Sequence, residues 1–331
     1  MNFRFETVFL TIISFYISFC FVTAKFTNDV AIFMGVENIA DKFYLFPHGI
    51  DLAWEAKPIG NRIINYLVLK GAGVFVPFSD AVNFAIVAKC IALLFLILVS
   101  AYIAYVLGGR YTFWILFFSF TTCCNFCIMQ AEWWAVLLSL AALACLMHDN
   151  QYAAYIAGFL FIFVGAIKGI TAFLFIPVLC GVYLLGKPQQ NATVKAIAAS
   201  AVITIAVCVA QLTIWPNMLP DLLLAPAITG VGRHDMTSLV LTFIGQDILA
   251  MFYIPALIVG FVALALLVIS GYFDSARKIV LFAVMWVSVA ALVFIHSEFF
   301  AYQFMIYVIP SVVAIVIGLR EVETVAQAGT A

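Results

Sequence analysis

An all-α polytopic membrane protein is the fold class this sequence predicts. Of 331 residues, 66% are hydrophobic and 9% charged, where a soluble domain has about half and about a quarter. The apolar residues recur in runs of roughly 20, the length a helix needs to cross the hydrocarbon core of a bilayer. The exception is the interval 25–70, where Asp29, Glu37, Asp41, Asp51 and Glu55 accompany Lys25, Lys42, Lys57 and Arg62. A formal net charge of -1 carries no signal for nucleic acid, and no nucleic-acid partner is expected. The expected organisation is a single membrane domain over residues 1–331, with 25–70 as its outer loop and no soluble domain after Leu319.

The first span runs from about Val8 to Ala24. Val22-Thr23-Ala24 has the small residues of a signal cleavage site, but Glu6 accompanies Arg4 ahead of the run and the run is long enough to cross, which favours an uncleaved helix. Next, Val30, Phe33, Val36, Ile39 and Phe43 fall at three- and four-residue steps with Glu37, Asp41 and Lys42 between them. That spacing predicts an amphipathic helix lying in the interface plane. A second such piece, about Gly60 to Leu69, follows Pro58, and Gly71, Gly73 and Pro77 then interrupt the chain.

A long span is expected from Ala81 to Leu107, ending at Gly108-Gly109-Arg110. Residues 111–147 are too long for one crossing and too apolar for a loop, so they read as a helical hairpin turning near Gln130 to Trp134, around Glu132. Residues 152–186 read the same way, with the turn at Lys168-Gly169. A span from about Ala196 to Ile214 precedes a hydrophilic interval, Trp215 to about Gln246, that holds Arg233, His234 and Asp235. Spans at 248–270, 279–295 and 303–319 bring the total to about ten crossings.

The lysine and arginine bias sets orientation. With both termini inside, Arg110, Lys187, Lys195, Arg277, Lys278 and Arg320 face the cytoplasm, and Asp29, Glu37, Asp41, Asp51, Glu55, Glu132, Asp221, Asp235 and Glu298 collect outside. The sequon Asn191-Ala192-Thr193 then stays on the cytoplasmic side, unmodified. The eight cysteines sit in apolar runs and read as small buried hydrophobes. Cys124 and Cys127 have C-x-x-C spacing, but a zinc site needs a second pair or histidines that do not accompany them.

Charged residues near membrane depth mark functional sites, because each costs about 2.5–3.5 kcal/mol at a helix centre on insertion scales. Glu132 and Lys168 read either as functional-site residues or as turn residues in headgroup territory, paired with each other. Asp29 reads equally as a helix N-cap and as a general base toward an acceptor hydroxyl. Cations opposite such a base would hold a phosphate leaving group.

Four features in series resemble the GT-C glycosyltransferases of the protein O-mannosyltransferase and lipid A aminoarabinose transferase kind. They are Asp29 just beyond the first span, the Glu55-Ala56-Lys57-Pro58 element leading into a second amphipathic piece, Glu132 opening a helix, and the Lys168-Gly169 turn. Tyr307-Val308-Ile309-Pro310 is similar to the start of the family's last helix. The chain departs from the family pattern where Ile59 replaces a second proline after Lys57 and where Ile306 stands in place of an arginine. The resemblance implies a GT-C-like fold in which Asp29 acts as base and Glu132 completes an acidic rim. By the same resemblance, Lys57, Arg62, Lys168 and Arg233 hold the donor phosphate, while Glu55, His296 and Tyr302 support the acceptor side. It also implies a polyprenyl-phosphate sugar as donor and inversion at the anomeric carbon. The acceptor is a lipid, glycan or protein, and the active site faces outward from the cell membrane. No cofactor is required by this reading, although some such enzymes use a divalent metal.

Two other functions remain open at this point. One is a polysaccharide polymerase or ligase with a diphosphate-linked donor. The other is a transporter or flippase for a lipid-linked sugar, which predicts paired broken helices near the midplane and internal symmetry. Acids and bases gathered at one rim favour the enzyme.

Overall fold

The computed structural model describes residues 3–23, 59–77, 79–108, 111–122, 129–148, 150–186, 202, 255–296 and 301–328. Every regular element among them is a helix. In chain order these are α1 (Phe3–Thr23), α2 (Ile59–Gly73), α3 (Ala81–Leu107), α4 (Thr112–Thr121), α5 (Ala131–Met147) and α6 (Gln151–Ile167). A 3-10 segment (Gly169–Leu174), α7 (Phe175–Leu185), α8 (Pro255–Ile269), α9 (Ala276–His296), a second 3-10 segment (Ala301–Tyr307) and α10 (Val308–Ala328) follow. The expected interfacial helix at 30–43, the span 196–214 apart from residue 202, the interval 215–246, the sequon at Asn191 and the Cys124/Cys127 spacing lie outside the described residues.

Among the described residues, four stretches are long and apolar enough to cross a membrane: Glu6–Thr23, Ala81–Leu107, Ala276–Phe294 and Gln303–Val322. The other apolar helices, such as Ala131–Met147 and Tyr152–Ile167, are shorter. The described chain is therefore that of an all-helical, membrane-associated protein. Large apolar side chains stand exposed on α1 (Phe15, Tyr16), α3 (Leu94, Leu98) and α9 (Val284, Val287), as a hydrocarbon surround allows.

α5 is the central post. It is buried from Ala131 to Leu146, as a helix apolar around its whole circumference must be. It packs on α3, α6, α7 and the second 3-10 segment. Small residues let the outer helices close in: a Cβ on Gly260 of α8 would lie 2.4 Å from the Ser311 side chain of α10.

Specific contacts establish which end of the bundle each helix occupies. Phe95 meets Trp134 edge-on at 5.8 Å and the Tyr102 hydroxyl donates to Cys145 Sγ at 3.5 Å, so α3 and α5 run parallel. The Arg320 guanidinium on α10 donates to the carbonyl oxygens of Leu185 and Leu107, the last residues of α7 and α3. The Tyr272 hydroxyl, in the α8–α9 turn, donates to Leu184 O at 3.3 Å. These contacts gather Arg277, Lys278 and Arg320 at one end, here called the basic end. The start of α5 and the end of α6 lie at the opposite end, and so do both 3-10 segments.

The expected helix limits at Ala81 and Leu107 are seen, and α6 ends at Ile167, directly before the turn expected at Lys168-Gly169. The turn expected at Gln130 to Trp134 is not seen there: α5 begins at Ala131, so that Glu132 and Trp134 are helical. A carboxylate is favoured in a first helical turn by the partial positive charge of the N-terminus. Met129, just ahead, takes φ 61, a left-handed backbone that is costly for a side-chain-bearing residue. Both 3-10 segments give way to α-helix two residues before a proline, Pro177 in α7 and Pro310 in α10. Proline is tolerated there because first-turn N–H groups have no helical partner to lose.

Candidate active site

Glu132 and Lys168 form the centre of the candidate site. Lys168 leaves the helical region at the end of α6 (φ -156, ψ 121). The Thr171 hydroxyl braces the turn against the carbonyl oxygens of Val164 and Lys168. Lys168 Nζ donates to Glu132 Oε1 at 2.6 Å. The Glu132 side chain is 1% exposed and that of Lys168 29% exposed. A carboxylate so buried requires a counter-charge, since an isolated ion in an apolar setting costs several kcal/mol. The ammonium supplies that charge while keeping one side toward the rim.

The end of α1 and the start of α2 both lie beside this pair. At the close of α1, the Phe21 ring lies 6.4 Å from that of Trp133, the residue after Glu132. Trp133 is anchored in turn by its indole N–H, which donates to Phe120 O at 3.0 Å. The chain returns at α2, where Gly60 presses on the backbone of α6: a Cβ there would sit 2.6 Å from the Ala166 carbonyl carbon and 2.7 Å from Ile167 N. Only glycine permits that approach, one residue short of Lys168. From this point α2 packs across α6 and α3.

Of the residues expected from sequence to form the site, the structure brings Glu132 and Lys168 into contact. Arg62 lies in the first turn of α2, His296 closes α9 and Tyr302 lies in the second 3-10 segment, so their backbones belong to this same end. The side chains of these three fall outside the described residues, as do Asp29, Glu55, Lys57 and Arg233 entirely.

Sequence reading passed over several polar groups that the fold buries near this end. Lys89 of α3 is 2% exposed, and Asn61, Asn65, Gln130 and Gln303 are buried as well. Lys89 could have been found as a charge inside an apolar run of helical length. Asn61 and Asn65 offered only a four-residue spacing, which a solvated helix face shares. Among the described residues, no three His, Cys, Asp or Glu side chains gather to hold a metal ion. Glu132 is one carboxylate already engaged by an ammonium, so the described donors do not fit a divalent cation.

The chain matches no protein-family model, no curated protein and no solved structure. The functional reading therefore rests on the chemistry of this rim.

Proposed function

We propose that the chain is an integral-membrane glycosyltransferase of about ten crossings and GT-C-like organisation. In this reading it moves a sugar from a polyprenyl phosphate to a lipid, glycan or protein acceptor at the outer face of the cell membrane. One observation carries the proposal. Both ends of the charged first loop, at Phe21 and Gly60, meet the bundle at the end where Glu132 and Lys168 pair. In this reading the acids and bases of the interval between Phe21 and Gly60 gather over that pair. The basic cluster of Arg277, Lys278 and Arg320 at the other end supports placing the site outside by the positive-inside rule.

In this mechanism Asp29 takes the proton of the acceptor hydroxyl, whose oxygen attacks the anomeric carbon and displaces the phosphate oxygen. The polyprenyl phosphate leaves with the bonding electron pair, and Lys57, Arg62, Lys168 and Arg233 stabilise its charge. Glu132 holds the Lys168 ammonium in position, and Glu55, His296 and Tyr302 line the acceptor side. Membranes containing the protein, given a panel of labelled polyprenyl-phosphate sugars, should form a glycosylated product. Asp29→Asn should abolish that product while the protein remains in the membrane, and retained turnover would remove Asp29 from the mechanism. Passage of a lipid-linked sugar across a liposome bilayer without product would replace the enzyme reading by a transporter.

A further inference from the structure

Asn61 and Asn65 of α2 are 3% and 2% exposed, and the side-chain oxygen of each has no hydrogen-bond partner. They lie one helical turn apart, on the face that also buries Ile64, Val68 and Ala72. A buried polar atom without a partner costs about 1–3 kcal/mol, and this helix carries two of them side by side. Packing does not require them, since leucine would suit that face better. The indole N–H of Trp134, two residues after Glu132, is likewise buried without a partner. Gly60 seats the start of α2 against the α6 backbone next to Lys168, which leaves Asn61 a single residue from that contact.

We infer that Asn61 and Asn65 form a seat for the hydroxyl groups of the donor's sugar, on the stretch of α2 that lands beside Lys168. Each side-chain oxygen accepts an O–H, the donor type that a sugar presents in quantity and a prenyl chain lacks. The inference rests on the glycosyltransfer reading and adds to it the residues that distinguish a glycosylated lipid phosphate from a bare one. Asn61 and Asn65 are positioning residues here and take no part in bond making.

The test is binding of the purified full chain in nanodiscs to two probes, undecaprenyl phosphate and undecaprenyl phosphate bearing glucose, mannose or galactose. The wild type should favour at least one glycosylated lipid over the bare one. Asn61→Leu with Asn65→Leu should cut that preference about tenfold, at roughly one hydrogen bond's worth of affinity per asparagine. Binding of bare undecaprenyl phosphate should stay unchanged. The thermal midpoint should hold or rise, because an unpartnered polar atom has been removed. Asn61→Ala with Asn65→Ala, which adds no bulk, should give the same pattern. Lys168→Met, by contrast, should weaken both lipids. Equal binding of both lipids by the wild type, or unchanged preference in the asparagine variants, would overturn the seat while leaving glycosyltransfer standing. Binding of neither lipid by the wild type would remove the glycosyltransfer reading and the seat with it.

Discussion

Glu132 and Lys168 show how much one pair can decide. The carboxylate is inside the bundle and the ammonium at its rim, so the two substitutions have unequal costs. Lys168→Met strands a buried negative charge and should destabilise the protein by about 3 kcal/mol, the lower end for breaking a buried pair because Lys168 is partly exposed. Adding Glu132→Gln should recover most of that loss. Denaturant unfolding of the two single variants and the double variant in detergent measures the coupling, and a coupling near zero would show that the pair does not hold the turn. Both residues were visible in the sequence as isolated charges in apolar surroundings. Their pairing was only one of two readings there, since nothing local brings residues 36 apart in the chain to 2.6 Å.

Among the elements, α2 and α10 depend most on single residues. Gly60→Ala would place a methyl group 2.6 Å from the Ala166 carbonyl carbon and force α2 away from α6, at about 1–3 kcal/mol. The proposed transfer activity should fall together with the melting temperature. Gly73→Ala, at the end of the same helix with open space around it, should be neutral or slightly stabilising. On α10, Arg320 ties together the last carbonyls of α3 and α7, where helix ends leave acceptors without partners. Arg320→Ala should cost about 2–3 kcal/mol in the same unfolding measurement. Arg320→Lys should recover less than half, because a single ammonium cannot fork between two carbonyls. Periodicity gave the existence of both helices but not their limits: α2 continues through Gly71 to Gly73, and α10 begins at Val308 after a 3-10 segment and runs to Ala328. Arg320 read only as one more cytoplasmic charge.

For the whole molecule, the separation of a basic end from the end bearing Glu132 makes orientation a testable property. In a variant without native cysteines, Asp80→Cys, ahead of α3, should react with a membrane-impermeant maleimide on intact cells. Ser275→Cys, in the α8–α9 turn, should react only after permeabilisation. The opposite pattern would put the ion pair on the cytoplasmic side and end the proposed outward-facing chemistry. Both positions are exposed and lie at opposite ends of the bundle.

Composition and run length alone determined that this is a helical membrane protein, because the bilayer's thickness and its lack of hydrogen-bonding partners leave an apolar chain few other forms. Spacing alone also located the break at Lys168 and the end of α3. The tertiary structure decided the meeting of Glu132 with Lys168 and the landing of α2 on the α6 backbone at Gly60. It also decided the burial of Asn61, Asn65 and Lys89. Those outcomes depend on which faces of distant helices pack together, and a one-dimensional pattern of polar and apolar residues does not encode the partner of a face.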